Sequence, residues 1–171
     1  AMIEDAIAGA RVVGIIQPDR PGDDESPLGK TSPLRRTGCL GRITAFQELD
    51  DNRLMITLTG ICRFHIGDEH ASAKLYRSFA VDYAAFSHDL ERGLGEEDVD
   101  RDRLLAVLRR YLEAHEFRAD WKAIDLAPTE HLVNSLSIIS PYGAEEKQAL
   151  LEAPDLVSRA KVLIALAEME L

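Results

Sequence analysis

The spacing of apolar residues changes once along this chain, between residues 91 and 100. Before that segment, apolar and polar residues alternate in short runs separated by turn residues, which is typical of β-strands. Beyond it, apolar residues recur every three or four positions, which is typical of helices packed on one side. Strands followed by helices predict an α+β fold with an N-terminal β-rich lobe and a C-terminal helical bundle.

This change of spacing divides the chain into three segments. We expect a β-rich lobe over residues 1–90, an acidic linker over 91–100 and a helical bundle over 101–171. Two glycines, Gly93 and Gly95, and a cluster of carboxylates indicate a solvated crossing in the linker. The 171 residues fall within the range of about 100 to 200 that is usual for one domain, so the lobes belong to one small protein.

A hairpin gives the clearest strand signal in the β-rich lobe. The runs 40–49 and 53–66 flank Asp50-Asp51-Asn52, residues that tolerate the backbone of a tight turn. Regular alternation in the second run predicts one core face, made of Leu54, Ile56, Leu58, Cys62, Phe64 and Ile66, and an opposite face with Arg53, Met55, Thr57, Thr59 and Arg63. Further strands are expected at 12–16 and 76–83.

Apolar stripes predict the helices. Residues 3–9 are typical of the last turns of a helix that ends at Gly9, and the first long helix is expected over about 102–118. A short turn at 121–124 follows. The stripes of the later helices consist of Leu132, Val133, Leu136 and Ile139, and of Leu156, Ala160, Leu163 and Ala167. Asp155 is the expected N-cap of the last helix, and Glu145 and Glu146 lie in the first turn of the helix before it.

Charge and cysteine content restrict the possible partners and the compartment. With 20 basic and 30 acidic residues the net charge is −10, which works against nucleic acid or an anionic lipid surface as the main partner. Two cysteines and the lack of a secretory signal favour a reducing cytoplasm. No run reaches the length of about 18 apolar residues that a membrane span needs.

The sequence offers no catalytic motif, and we expect no cofactor, no metal and no enzymatic activity. The segment 22–31 ends in Gly-Lys-Thr like a Walker A loop, but Asp24 replaces a required glycine, and Pro27 removes an amide. No Ser-Lys dyad stands out. The five histidines share no metal-ligand spacing, and Cys39 and Cys62 on the two arms of the hairpin are expected to be reduced thiols.

Aromatic residues of the helical half form the candidate binding surface. Most large rings lie in cores, and plain core packing is therefore one interpretation. The other is that a partly exposed minority forms an apolar groove for unfolded peptide. The candidates are Tyr111, Phe117, Trp121, Pro141 and Tyr142.

Two stretches of the sequence resemble a known family. Residues 38–46 and 51–64 are similar to the central hairpin of the Lon protease N-terminal domain, also called the Lon substrate-binding domain. Leu132-Val133-Asn134-Ser135-Leu136, Pro141-Tyr142 and residues 146–153 resemble its C-terminal lobe. The similarity runs nearly end to end. It rests on fold-level motifs, which are specific to the family but not to any reaction.

The resemblance implies a fold and a role. Family members have a β-rich lobe with a PUA-like pseudobarrel joined to a helical bundle. In full-length Lon this domain precedes an ATPase module and a Ser-Lys protease module, helps to capture damaged or unfolded proteins and supports hexamer assembly. Neither module has a counterpart in these residues, so the resemblance implies a stand-alone binding domain related to ATP-dependent proteolysis and transfers no catalytic residue.

One departure from the family concerns the start of the chain. Family members usually begin with a strand of Pro-Leu-Phe-Pro-Leu type, followed by a helix whose end resembles residues 1–9. We therefore expect the opening strand to be missing and an edge of the barrel to be open. That edge, or the nearby face between the lobes, would mediate self-association or peptide capture.

Three functional interpretations follow. The first is a non-enzymatic domain that binds unfolded polypeptide or a protein partner, such as a protease acting in trans, through apolar surface; a homo-oligomer fits the same surface. The second is a small hydrolase or a ligand-dependent enzyme with a site between the lobes. The third is RNA binding by analogy with PUA-like folds, using Arg35, Arg36 and Arg42, and the acidic balance counts against it.

Overall fold

A computed structural model describes residues 1–19, 32–51 and 53–171 of the chain. It contains two compact units, Ala1–Leu90 and Glu91–Leu171. The first is built on a four-stranded antiparallel sheet and the second on helices. The predicted α+β class, with strands before helices, is confirmed. The segment 22–31, which resembles a Walker A loop, lies outside the described residues. Asn52 of the predicted turn also lies outside them.

The β unit is a meander of four strands. A short helix, α1 (Met2–Ala8), comes first. The strands β1 (Val12–Ile15), β2 (Thr37–Glu48), β3 (Leu54–Glu69) and β4 (Phe79–Asp82) then pair in the order β1-β2-β3-β4. A 3₁₀ segment, Ala84–Leu90, ends the unit. The predicted hairpin is confirmed as β2 and β3, and both strands are longer at their bases than the sequence indicated.

Two bulges divide this hairpin into a base and a tip. In β3, Ile61 is the extra residue between the pairs Leu40–Cys62 and Gly41–Gly60, and in β2, Thr44 is the extra residue between Ile43–Leu58 and Ala45–Thr57. Each extra residue reverses the alternation of its strand beyond that point. The tip is therefore turned over relative to the base.

The bulges make the predicted core face of β3 wrong. Directly paired residues share a face, so the register places the predicted core residues on two faces rather than one. We call these the Arg63 face, which carries Cys39, Ile43, Phe46, Leu54, Ile56, Leu58 and Arg63, and the Phe64 face, which carries Leu40, Met55, Thr57, Thr59, Cys62 and Phe64. Cys39 and Cys62 accordingly lie on opposite faces, and both are free thiols.

Both faces are buried at the base of the hairpin. On the Phe64 face, the Phe64 ring packs so closely on Gly38 that a Cβ there would lie 2.8 Å from the ring, so only glycine fits. On the opposite face, Arg63 is 4% exposed. Its guanidinium donates to Asp89 at 2.7 and 2.9 Å, and its backbone amide donates to the same carboxylate. Phe86 packs 4.4 Å from the guanidinium carbon. An arginine predicted to face away from the core is thus part of it.

The helical unit contains a short 3₁₀ turn, Glu96–Asp98, and five α-helices among its residues. The helices are α2 (Arg101–Ala114), α3 (Trp121–Leu126), α4 (Thr129–Ile139), α5 (Ala144–Glu152) and α6 (Leu156–Met169). Their buried faces form one apolar cluster that includes Leu104, Val107, Tyr111, Leu132, Val133, Leu150, Leu156, Ala160, Leu163, Ile164 and Ala167. Asp155 caps α6 through the Ser158 amide, as predicted.

Cationic side chains close the carboxyl ends of three helices in this unit. Arg101 donates to the carbonyls of Ile124 and Asp125 at the end of α3. Lys147 donates to the last carbonyls of α4, and Arg159 donates to the Leu150 carbonyl in α5. The last carbonyls of a helix have no partner within it and carry partial negative charge, so each cation satisfies acceptors that would otherwise lack donors.

Within the segment 91–100, expected to be an acidic linker, Val99 is buried and the Glu96 carboxylate accepts the Glu130 amide at the start of α4. Two further expectations for the chain are corrected. Ile139 is not on the inner stripe of α4, since it is 72% exposed. Gly9 follows α1 but does not adopt the left-handed conformation of a glycine C-cap, with φ of −105°.

Candidate functional site

The end of α2 positions two of the predicted aromatic residues. His115 stacks on Tyr111 with 4.3 Å between ring centroids, and Phe117 stacks on His115 at 6.1 Å. Phe117 is held there by a Schellman motif, in which its amide donates to the Leu112 carbonyl and the Glu116 amide donates to the Glu113 carbonyl. Glu116 takes the left-handed position of this motif, with φ of 57°. The motif places Phe117 at the surface, 55% exposed.

A small apolar pocket lies beside this stack. It is lined by Leu104, Val107, Leu108, Tyr111, Leu136, Ser140, Tyr142, Leu163, Ile164 and Ala167, and its volume is about 20 Å³. That volume holds about one water molecule. The Tyr111 hydroxyl is buried and has no hydrogen-bond partner among the described residues. The pocket therefore offers one polar group within apolar walls, and it is far smaller than a site for a metabolite.

The two tyrosines of the pocket have perturbed acidities. Burial, followed by the nearby Glu170 carboxylate, raises the pKa of Tyr111, although that carboxylate does not reach hydrogen-bond geometry with the hydroxyl. Burial, then Glu170 and Tyr111, raises the pKa of Tyr142 to about 12. Both phenols are therefore neutral at pH 7. A phenol held neutral can donate a hydrogen bond but cannot serve as a base or a nucleophile.

The structure brings together most of the predicted aromatic candidates but not all of them. We call Tyr111, His115, Phe117, Pro141 and Tyr142 the aromatic end of the helical unit. Tyr111 and Tyr142 line one pocket. Phe117 is connected to Tyr111 through the His115 ring, and Pro141 is exposed next to Tyr142.

Tyr111 and Trp121 are packed against other side chains, which limits their contact with a binding partner. Tyr111 is a core residue, so it shapes the pocket rather than contacting a partner with its ring face. Trp121 begins α3, capped by Asp120, and its half-buried ring packs 4.5 Å from the guanidinium carbon of Arg109. It is therefore a packed residue away from the aromatic end.

The sequence reasoning missed exposed aliphatic residues beside the aromatic end. Ile138 and Ile139 end α4, just before the pocket residue Ser140, and both are exposed. The inner stripe predicted from residue spacing included Ile139, but α4 ends at this residue and its side chain is exposed. Two adjacent isoleucines cannot both lie on one helical stripe. The adjacency of Ile138 and Ile139 in the sequence was therefore an indication that at least one of them is exposed.

The tip of the β2–β3 hairpin is a second exposed apolar region that the sequence reasoning did not identify. On the Arg63 face, burial decreases from Ile43, which is buried, through half-buried Leu58 and Ile56 to exposed Leu54 and Phe46. Phe46 is 52% exposed. Regular alternation predicted a continuous core face, and only the two bulges reveal that these residues turn away from the Phe64 side.

Other features predicted for catalysis or nucleic acid have structural explanations. Among the described residues, no three His, Cys, Asp or Glu side chains are placed to hold a metal ion. Arg35, one of three residues considered for RNA, lies 3.1 Å from the Asp19 carboxylate, and Arg36 and Arg42 are exposed. Burial raises the pKa of both thiols, Cys39 and Cys62, which disfavours the reactive thiolate. None of the described helices is long and apolar enough to cross a bilayer.

Comparisons with known proteins agree with the resemblance seen in the sequence. The family model described as ATP-dependent protease La (LON) substrate-binding domain matches residues 1–168. Lon protease 2 of Myxococcus xanthus is 25% identical over 175 residues, which cover 97% of this chain and 20% of that protein. The chain thus spans about a fifth of the length of this curated relative.

Two solved structures align with most of the chain. The N-terminal domain of a Lon protease from the Mycobacterium avium complex aligns with a TM-score of 0.58 at 18% identity, covering 94% of this chain and 91% of that one. A Lon N-terminal domain protein from Xanthomonas campestris aligns with a TM-score of 0.43 at 17% identity, covering 90% and 88%. The first alignment supports the α+β fold described above.

Proposed function

The chain belongs to the family of Lon substrate-binding domains, and from this premise we propose that it binds unfolded polypeptide through exposed apolar side chains and catalyses no reaction itself. The observation that carries the proposal is the exposure of large apolar side chains at the aromatic end and at the end of α4, which leads into it. Phe117, Ile138 and Ile139 are each more than half exposed. Exposed apolar clusters on a folded domain are typical of surfaces that contact other chains.

The chemistry of the aromatic end supports binding of polypeptide rather than of a small ligand. Its pocket of about 20 Å³ is too small for a metabolite, whose sites usually exceed about 300 Å³. Its exposed groups are apolar and aromatic, and they make contacts that do not depend on a particular sequence. Unfolded chains expose apolar side chains that folded proteins bury, so such a surface discriminates between the two states.

The same features support a role without catalysis. The hydroxyls of the pocket belong to neutral tyrosines and to Ser140, and no histidine or carboxylate is hydrogen-bonded to Ser140 among the described residues. A serine nucleophile needs an adjacent base within hydrogen-bond reach. The proposal therefore assigns the pocket to packing and recognition.

Fluorescence anisotropy of a labelled, permanently unfolded protein titrated with this chain tests the proposal. We expect binding to the unfolded protein, no binding to its folded counterpart, and little change at high salt, because apolar contacts are not screened. No binding at concentrations above about 100 μM, where weak peptide capture should register, would contradict the proposal.

Matched variants locate the surface. Phe117→Ser combined with Ile139→Ser should weaken binding about tenfold, since central apolar contacts dominate such interfaces. Leu126→Ser is the control, because Leu126 is 77% exposed and lies at the end of α3, which is tied to the first residue of α2 rather than to its last turn. Equal loss in the control would show that the aromatic end is not the surface.

A further inference from the structure

The tip of the β2–β3 hairpin extends beyond its neighbouring strands. β1 pairs with β2 only from Cys39 to Arg42, and β4 pairs with β3 only from His65 to Glu69. Between these limits and the turn, the part of the chain that the structure describes supplies no further strand to either edge. The tip is therefore a two-stranded ribbon, and a two-stranded ribbon is marginally stable without additional packing.

The Arg63 face of this ribbon is covered at its base and open at its tip. At the base, the 3₁₀ segment Ala84–Leu90 lies on the face through Phe86 and Asp89. At the tip, Phe46, Leu54 and Ile56 continue the same face and are exposed or half-buried, and Glu48 pairs directly with Leu54 at its end. Within the part of the chain that the structure describes, this apolar surface is thus continuous with a core that the 3₁₀ segment covers at the base.

The outer edge of β3 at the tip is suited to pairing with another strand. Residues 54–60 contain no charged residue and no proline. Exposed sheet edges in native proteins are usually protected by charges, prolines or bulges, which prevent other strands from pairing with them. This edge has none of these before the bulge at Ile61. No strand among the described residues pairs with this edge, and the side chains that it places on the Arg63 face, Leu54, Ile56 and Leu58, are apolar.

The outer edge of β2 at the tip is less suitable. It runs only from Ala45 to Glu48, and the bulge at Thr44 interrupts its alternation where β1 ends. The Thr44 hydroxyl also donates to the Thr57 carbonyl across the ribbon. A bulge twists an edge away from a flat pairing geometry. The two edges therefore differ, and β3 offers the longer regular one.

We propose that the β3 edge from Leu54 to Gly60 takes up an extended segment of unfolded polypeptide as an added strand, with alternate apolar side chains of that segment lying on the Arg63 face beside Leu54, Ile56 and Leu58. This inference rests on the proposed function for the class of ligand, and it adds a second surface and a mode of recognition. Main-chain hydrogen bonds supply affinity for any sequence, and the apolar face selects side chains at every second position. Segments without proline and with apolar residues at alternate positions are the preferred ligands.

The test uses a fluorescent peptide of alternating valine and threonine flanked by lysine pairs, titrated with the full chain. A second peptide of the same sequence carries N-methyl groups on alternate residues along one edge, which removes backbone donors without removing apolar side chains. We expect the first peptide to bind and the N-methylated peptide to bind at least about tenfold more weakly. Equal binding of both peptides, or no binding of either, would overturn the inference.

Protein variants provide the matched comparison. Leu54→Lys and Ile56→Lys place a charge on the Arg63 face of β3, next to the added strand, and should weaken peptide binding about tenfold. Met55→Lys is the control, because Met55 is 55% exposed, adjacent to Leu54 and on the opposite face. Retention of the folded β unit is checked by protection of its two thiols, Cys39 and Cys62, from labelling and by circular dichroism. Since the N-methylated peptide is tested on the unaltered chain, a variant that fails to fold does not remove the test.

The outcomes separate this inference from the proposed function. If the unaltered chain binds unfolded protein, and Leu54→Lys and Met55→Lys bind it equally well, the function stands and the added strand is wrong. A third outcome is occupation of the edge by a second copy of the chain. Light scattering would then show a dimer that Leu54→Lys dissociates and excess peptide does not, and this result would also overturn the inference.

Discussion

The two units of this molecule bury different kinds of side chains. Among the described residues, the buried charged side chain is Arg63 of the β unit, with Asp89 as its partner. The helical unit buries an apolar cluster, and three of its cations, Arg101, Lys147 and Arg159, meet backbone carbonyls at helix ends. The sheet of the β unit has four strands, and one face at its base is closed by an ion pair. The helices enclose a core between them, so charges remain at its boundary.

This difference indicates which kind of substitution destabilises each unit most. A buried ion pair is sensitive to loss of one partner because the remaining charge is left without compensation. An apolar core is sensitive to loss of volume. The chain supplies a probe for each unit: the two cysteines lie in the β unit, and the single tryptophan, Trp121, lies in the helical unit. Thiol reactivity and tryptophan fluorescence therefore report the units separately.

The largest effect is expected from Asp89→Ala. Removing the carboxylate leaves the buried Arg63 guanidinium and its backbone amide without their acceptor, which should lower the free energy of unfolding of the β unit by about 3–5 kcal/mol. Thiol labelling of Cys39 in increasing denaturant measures this loss. Asp89→Asn is the milder control, since its amide oxygen can still accept one bond. Unchanged thiol protection in Asp89→Ala would contradict the assigned role of the pair.

Leu150→Ala tests the other unit. Leu150 is fully buried in the apolar cluster, and shortening a buried leucine leaves a cavity that costs about 2–5 kcal/mol. Trp121 fluorescence should show unfolding at lower denaturant concentration. The comparison predicts that thiol labelling of the β unit changes less than the fluorescence transition. A loss seen first in the thiols would show that the β unit depends on the helical core.

Acidification should weaken the β unit through Asp89. Burial alone raises the pKa of this carboxyl, but the Arg63 hydrogen bonds and charge outweigh it and hold the pKa below its ordinary value. A carboxylate with a lowered pKa in the folded state contributes its full stability above the unfolded pKa of about 3.9 and loses it as the pH falls through the folded pKa. Denaturant titrations should show stability falling below about pH 4, and the fall should be smaller in Asp89→Asn.

Glu96→Ala should have a smaller effect, confined to the helical unit. The Glu96 carboxylate accepts the Glu130 amide at 2.7 Å, in the first turn of a helix whose own N-cap, Pro128, provides no side-chain acceptor. Loss of such a cap costs about 1 kcal/mol. Trp121 fluorescence during denaturation measures it. Glu97→Ala is the control, because Glu97 is exposed on the same 3₁₀ turn, and an equal loss in both variants would indicate a general charge effect.

The smallest expected effect is a gain in the free energy of unfolding. Glu116 has a left-handed backbone, with φ of 57°, which costs a residue with a side chain about 1 kcal/mol relative to glycine. Glu116→Gly should therefore raise the free energy of unfolding of the helical unit by up to about 1 kcal/mol. Glu113→Gly, one turn earlier in α2, should instead lower it. If both substitutions destabilise, the Schellman geometry at Phe117 is not the one described.

Local signals explain how much of the structure could be predicted. The N-cap Asp155 and the inner stripe of α6 are encoded within a few residues of each other, and both predictions are confirmed. The ion pair joins Arg63 to a residue 26 positions away, and no local pattern marks Asp89 as its partner. Ile139 fits the apolar spacing of α4 and is nevertheless exposed at the last residue of that helix. Contacts between distant residues decide these features, so residue spacing alone could not reveal them.

The candidate site was also predictable only in part. Aromatic residues near the end of α2 and after α4 were identified from composition, and the structure brings Tyr111, Phe117 and Tyr142 together through His115 and the pocket. The hairpin tip was not identified, because alternation of Leu54, Ile56 and Leu58 looks the same whether that face is covered or open. The bulges decide which face of the hairpin these residues occupy, and bulges depend on pairing between strands.

The two bulges also have a consequence for the folding of the hairpin. The pairs Cys39–Arg63 at the base and Ala45–Thr57 at the tip have the same register, and only the pairs between Gly41 and Ile43 are shifted by one residue. A hairpin without either bulge would need no residue added or removed. It would turn the tip over, so that Thr57 and Thr59 replaced Ile56 and Leu58 on the Arg63 face. The chain thus has two pairing isomers of equal length, and a shift of three residue pairs converts one into the other.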